Sequence, residues 1–137
     1  MKIVLDDGAF APVRGHGADA GLDLKTREDV TIPAGGSASF DTGVHFEIPV
    51  GSFGKIESKS GLNVNGSVVS CGGVIDAGYT GSVVVKLYNL GNEPHEFKRG
   101  DKIAQIVFQP CYYPVLEIAD TLEDTERGSD GFGSTGK

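Results

Sequence analysis

Four short segments of the sequence set chemically competent side chains among glycines. In residues 72–81 (GGVIDAGYTG) the carboxylate of Asp76 follows an apolar pair and precedes a glycine bend, with Tyr79 three residues on. Such a carboxylate, held at a strand end, can work on a bound water, or it can simply cap the turn through its backbone. Residues 59–62 (KSGL) place the cation of Lys59 and the hydroxyl of Ser60 beside Gly61, which are the parts of a phosphate cradle or of an ordinary turn. Asp23, in residues 20–24 (AGLDL), sits on a short apolar segment that could bury it near an ion. In residues 127–136 (RGSDGFGSTG), glycines alternate with Arg127, Phe132, Ser134 and Thr135. Together these offer a bidentate phosphate donor, a flat stacking ring, two hydroxyls and many unblocked backbone N–H groups, the components of a clamp for a chain of phosphates. A disordered, solubilising tail has the same composition.

Groups of this kind need rigid placement, and the rest of the 137 residues offers it in strands. Apolar residues mostly alternate with polar ones, and the runs are cut every several residues by Gly, Pro or Asn. In residues 44–48, Val44, Phe46 and Ile48 fall on one face while His45 and Glu47 fall on the other. Val83, Val85 and Leu87 form a second apolar face opposite Ser82, Lys86 and Tyr88. In residues 102–108, Ala104, Ile106 and Phe108 oppose Ile103, Gln105 and Val107, which predicts a strand covered on both sides. Helix is expected only as single turns near residues 61–65 and 122–126. The 21 glycines point to many tight turns, and the expected fold is all-β, a jelly-roll-like distorted barrel. The organisation expected is one β domain over residues 1–118, then a flexible arm over residues 119–137 that is polar, then glycine-rich, with Phe132 as its single aromatic.

A net charge of −7 argues against non-specific binding to nucleic acid or to anionic membranes, both of which call for a cationic surface. A polyanionic ligand would need a local cationic pocket or a metal ion. The start MKIVL runs at once into Asp6 and Asp7, so it lacks the apolar run of a signal peptide, and no stretch approaches transmembrane length; an intracellular, cytoplasmic protein is expected. Cys71 and Cys111 lack the spacing of a zinc site or a disulfide framework and are expected to be buried thiols. Two glycine patterns are decoys. Residues 131–137 spell GxxxxGK, but no Ser or Thr follows the Lys and no helix can; Gly15, Gly17 and Ala20 imitate a dinucleotide fingerprint with no helix of useful length behind them.

In order along the chain, AGLDL (20–24), SKSGL (58–62), GVIDAGYTG (73–81), RGDKIAQI (99–106) and RGSDGFGSTG (127–136) resemble the five ordered motifs of the trimeric dUTP pyrophosphatase (dUTPase) family. The resemblance spans nearly the whole chain, and the fifth motif is the most specific. It implies a jelly-roll-like domain of the β-clip type, a homotrimer with three shared sites and exchanged C-terminal arms, and Mg²⁺-dependent cleavage of dUTP to dUMP and pyrophosphate, which limits uracil in DNA and supplies dUMP. Under that resemblance Asp76 is the carboxylate that orients and deprotonates the attacking water. Tyr79 lies under the deoxyribose and leaves no room for a 2′-hydroxyl. Gly73, Val74 and Ile75 match the hairpin that reads the uracil edge, and Ser70 stands in the same hairpin. Lys59, Ser60 and Gly61 match the phosphate-binding motif, and Gln105 matches a further phosphate contact. Asp23 matches the carboxylate that meets the hydrated metal through water. In the arm, Phe132 stacks over the base, and Arg127, Gly133, Ser134 and Thr135 reach the nucleotide from a neighbouring subunit.

The chain departs from the family pattern at Lys59, where Arg is usual, so a bidentate fork becomes a point charge. It departs also at Ser70, where Asn is common, and at Gly78, where an acidic residue is often found. Three rival readings compete with this one. dCTP deaminases resemble the IDAGYTG region, but Lys86 stands where their catalytic Glu would be, and a lysine cannot accept the proton that deamination needs. A non-catalytic dUTP-sensing trimer would have no reason to keep Asp76, Tyr79 and the arm together, whereas a catalytic trimer with an added regulatory protein partner would keep them. A capsid-like jelly roll would have no use for the five motifs.

Overall fold

The computed structural model describes residues 1–71 and 73–129. Their elements run β1 (Ile3–Leu5), β2 (Gly21–Lys25), β3 (Val30–Ile32), β4 (Ser37–Asp41), β5 (Val44–Phe46), β6 (Ser52–Glu57), α1 (Ser60–Gly66), β7 (Val68–Ser70), β8 (Val74–Ile75), β9 (Val84–Asn89), β10 (His95–Phe97) and β11 (Lys102–Pro110). Every pairing is antiparallel. One sheet has the order β2-β11-β6-β8, a second β4-β9-β7, and the pairs β1-β5 and β10-β3 complete the fold. The all-β, jelly-roll-like expectation is met.

The alternation read from the sequence is what fills the core. Val44, Phe46 and Ile48 face inward together with Val83, Val85 and Leu87. Phe40 meets Phe97 edge-on at 5.3 Å between ring centroids, and Phe46 meets Phe108 in the same way at 5.3 Å. Strand β11 keeps its two-sided cover by a device that alternation does not foresee. Its register against β2 shifts between Lys102 and Ala104, so Ile103 and Ala104 are both buried while Lys102 is freed to turn outward.

Two expectations are corrected. Residues 122–126 form no helical turn; instead Gly128, at φ +50°, donates its N–H to the carbonyl and the hydroxyl of Thr125, both at 3.0 Å, and this local side-chain bond competes with helix. The other helical expectation is met by α1. The cysteines are not buried: Cys71 is exposed and Cys111 half-buried, because one lies in the loop between β7 and β8 and the other just beyond the end of β11. No helix among the described residues is long and apolar enough to cross a membrane.

One buried polar side chain ties the second sheet to the loops at its end. Asn89, 1% exposed, donates to the carbonyls of Ile32 (3.1 Å), Pro33 (3.3 Å) and Glu93 (2.8 Å) and accepts from the N–H of Gly91 (3.0 Å). Asn89→Leu keeps the heavy-atom branching but strands these backbone groups. It should lower the unfolding free energy by about 2–3 kcal/mol in urea titrations, the desolvation cost of unpaired buried polar groups.

Candidate functional site

Eight of the predicted residues line two clefts on the four-stranded sheet. The first is a cavity of about 480 Å³ lined by Gly15, His16, Asp19, Gly21, Asp23, Lys59, Lys102 and Gln105, among others. Asp23 lies in register with Gln105, which in turn opposes Glu57 on β6, just before Lys59. The buried carboxylate of Asp23 accepts from Lys59 at one oxygen, and its other oxygen lies 2.7 Å from the Lys102 ammonium. Burial pushes its pKa up, but the hydrogen bonds from Lys102 and Lys59, with their charges, outweigh that and hold it below the ordinary value of 3.8. Gln105 donates to the Ser58 carbonyl at 3.2 Å, and its side chain occupies the space that a Cβ on Gly21 would fill. The glycine of AGLDL therefore exists to admit the glutamine of RGDKIAQI.

Lys59 is the extended N-cap residue of α1 (φ −79°, ψ 129°), and Ser60 and Gly61 form the exposed first turn of that helix. Despite its two lysines the cavity is not cationic, because Asp19 and Asp23 balance Lys59 and Lys102. A polyphosphate would meet donors there but no excess positive charge.

The second cleft, about 290 Å³, is lined by Gly73, Val74, Ile75, Asp76, Tyr79 and Val84. Strand β8 supplies Val74 and Ile75 from the far edge of the sheet, and Gly73 at φ +104° lets the chain enter it. A Cβ on Gly73 would lie 2.6 Å from that of Ile56, so both the backbone angle and the space demand glycine. The Tyr79 N–H donates to the Asp76 carbonyl at 3.0 Å and closes the turn through the backbone of Asp76. That leaves the carboxylate exposed and, among the described residues, unpaired. The Tyr79 hydroxyl donates to the Ser82 carbonyl at 3.0 Å, with the phenol end of the side chain packed on Gly81, where a Cβ would lie 2.5 Å from the hydroxyl oxygen. Ser70 faces neither cleft openly: its N–H donates to the Ser58 hydroxyl at 2.8 Å and the two hydroxyls lie 3.2 Å apart, tying the end of β7 to the segment that carries Lys59.

The two clefts share no lining residue. Strands β2 and β8 stand at opposite edges of the sheet, three strand spacings or about 14 Å apart. Arg127 lies on the exposed turn beyond Thr125, while Phe132, Gly133, Ser134 and Thr135 lie outside the described residues. Sequence reading missed Lys102 and Ser58. Lys102 stood inside a quoted motif, but its approach to Asp23 depends on the bulge in β11. For a divalent metal the donors suit a hydrated ion rather than a protein cage. No three His, Cys, Asp or Glu side chains converge among the described residues, and both oxygens of Asp23 are already engaged.

The class so defined is a jelly-roll-like β domain with an ionic cleft and a glycine-hairpin cleft at opposite edges of one sheet. The sequence profile of the dUTPase family matches residues 8–136, and the chain belongs to that family. It is 45% identical over 133 residues to the deoxyuridine 5′-triphosphate nucleotidohydrolase of Rattus norvegicus, covering 97% of this chain and 65% of the rat protein. The dUTPase of Staphylococcus bacteriophage 80alpha with dUPNHPP superposes with a TM-score of 0.89 at 30% identity, covering 99% of this chain and 98% of that one. A point mutant of the dUTPase from phage phi11 of S. aureus, which coordinates a structural Mg(II) ion, superposes with a TM-score of 0.83 at 27% identity over 90% and 98% of the two chains.

The ion pairs of Asp23 carry a pH signature. A carboxylate held below its unfolded pKa stabilises the fold above that value and loses the contribution as pH falls through the folded one. Asp23→Asn should therefore cost about 1–3 kcal/mol at pH 7, and the gap to wild type should shrink below pH ~3.8 in denaturant titrations, as expected for a partly buried pair.

Proposed function

We infer that the protein hydrolyses dUTP to dUMP and pyrophosphate, with water attacking the α-phosphorus under the control of Asp76. The observation that carries this reading is the Asp76 carboxylate, which is exposed and, among the described residues, unpaired on a turn whose backbone is already closed, three residues from Tyr79. A carboxylate not consumed by structure is available to orient a water and take its proton.

The two clefts divide the substrate. Gly73, Val74 and Ile75 offer backbone groups to the uracil edge, and Tyr79 stands under the sugar, where a 2′-hydroxyl would collide. Lys59, Ser60, Gly61 and Gln105 take the phosphates. Mg²⁺, when bound, would supply charge neutralisation on the phosphates. Asp23 would hold its hydration shell through water, since Lys59 and Lys102 already claim both of its oxygens. The zero net charge of the phosphate cleft supports this need for a metal, and equally for a cation from elsewhere.

Separation of the clefts supports a homotrimer in which each site is shared. So does the surface after β11: Val115 and Ile118 are 97% and 102% exposed, Leu116 and Leu122 nearly so, and four such side chains need a neighbouring subunit to cover them. Residues 119–137 then form the arm that brings Arg127, Phe132, Gly133, Ser134 and Thr135 over the nucleotide, and closure excludes water from the phosphates.

Pyrophosphate release should be rapid with dUTP and Mg²⁺, negligible with dCTP, dTTP or UTP, and lost on chelation; absence of a dUTP preference would reject the reading. Asp76→Asn should lower kcat by about 10²- to 10⁴-fold, the usual worth of general-base help, while dUTP still binds. A chain stopped after Glu126 should lose turnover while keeping its thermal midpoint, and Phe132→Ala should reproduce most of that loss where Asp130→Ala does not.

A further inference from the structure

Behind Tyr79 the chain passes Thr80, Gly81 and Ser82 before β9 begins, and side chains of the neighbouring strands grip this stretch at two points. The first grip is permanent. The Ser82 hydroxyl bonds Asp41 and receives the Gly43 N–H at 2.9 Å, and Asp41 is itself held by Arg27 at 2.5 Å.

The second grip is titratable. His45 stands on β5 between Val44 and Phe46, both buried, so its ring leaves by the opposite face of the strand. Its Nδ1 lies 2.8 Å from the Thr80 carbonyl oxygen and its Nε2 3.1 Å from Oδ1 of Asp6. Both partners only accept. Neutral imidazole has one N–H and can serve one of them, whereas the imidazolium serves both. The charged groups around the ring favour that cation. Asp6 and Asp41 attract it, Arg27 lies 3.7 Å from Asp6, and Lys2 and Glu47, which line the cleft beside the ring, pair with each other at 3.3 Å.

We propose that protonated His45 is a positioning residue for the nucleoside cleft: by clipping the Thr80 carbonyl to Asp6 it holds the Tyr79 ring against Gly81, and its deprotonation loosens dUTP binding and the exclusion of UTP. This deepens the function proposed above and rests on Tyr79 lying under the sugar. The Thr80 carbonyl, then Asp6, raises the pKa of His45 above its ordinary 6.5. The clip is therefore whole below that value and is lost as pH rises through the folded one. Asp76 lies before the gripped stretch, behind the buried Ile75 of β8, so the effect falls on KM rather than kcat.

The test is steady-state kinetics of the full chain with Mg²⁺ and dUTP or UTP from pH 6 to about 9, spanning the histidine range. Wild type, His45→Gln and His45→Phe are compared, with thermal unfolding as the folding control. Wild-type KM for dUTP should rise severalfold with pH. His45→Gln offers an untitratable N–H to Thr80 alone, as the neutral imidazole does, and should show the high-pH wild-type KM at every pH, without that rise. His45→Phe should raise KM about fivefold at low pH, the order of one lost ordinary hydrogen bond, with kcat within twofold and a smaller preference for dUTP over UTP. Titration of the substrate's own phosphates is common to all three proteins, so the difference between wild type and His45→Gln is the readout. If the Phe variant does not fold, the Gln variant decides. In parallel, NMR titration of the nucleotide-free protein should move the Thr80 and Tyr79 amide signals with the midpoint of the His45 ring. A pH profile unchanged in His45→Gln, or amide signals that ignore the ring, overturns the proposal. Lack of dUTP turnover by wild type would instead defeat the proposed function and leave the NMR result to judge the clip.

Discussion

The carboxylate of Asp23 is largely removed from water, and each of its oxygens faces an ammonium group. Left alone it would carry a desolvation cost of several kcal/mol, so the chain must bring cations to it. They come from segments 36 and 79 residues away, the end of β6 and the start of β11, and their arrival fixes where α1 begins and where Gln105 lies. The ionic cleft is thus a by-product of satisfying one buried charge. It inherits a particular weakness: the lysines that could attract a polyanion are already committed, and Asp19 at the rim completes the balance. In a chain of net charge −7, that leaves the attraction of phosphates to groups supplied from outside the cleft.

The second cleft is built on the opposite principle, with steric rather than ionic constraints. Gly73 is squeezed by Ile56, and Gly81 by Tyr79. In each case a Cβ would displace the group beside it, so the shape of the slot is written in missing atoms. Shape of this kind discriminates by exclusion. Hydrogen-bond readout then adds to it, because a mismatched polar edge in a dry slot stays unpaired. Under the proposed function the ionic half would grip a feature common to all nucleoside triphosphates, and the steric half would select among them.

Much of this was legible before any coordinates. Alternation in residues 44–48 and 83–88 named the core-facing side chains correctly, because a period of two has one buried face when the strand lies over a core. The glycine-bracketed segments named most of the residues that line the clefts. What could not be read is equally physical. Lys102 reaches Asp23 only because β11 slips its register, and a bulge leaves no mark in a pattern of apolar residues. Ser58 matters through a hydroxyl shared with Ser70, a long-range contact that no local motif encodes. The cysteines were misjudged because a preference for burial is an average over proteins, whereas Cys71 sits in the loop that crosses from β7 to β8, whose exposure is set by the fold. Residues 122–126 were misjudged because the Thr125 side chain offers its local backbone a bond that helix propensity ignores.

The separation of the clefts has a consequence for assembly. A reaction at the α-phosphorus needs the base, the sugar and the phosphates held by one rigid frame, since small errors of placement forfeit most of the gain from orientation. In a single chain the two halves face different edges of the sheet. In the homotrimer proposed above, juxtaposing edges from different copies would solve this without lengthening the chain, and the apolar residues exposed after β11 would be the surface that those copies cover. Association and completion of the site then become one event. A lone chain can be folded, with its core full and Asp23 answered, and still be unable to align a water with phosphorus, so activity should depend on protein concentration even where stability of the single domain does not.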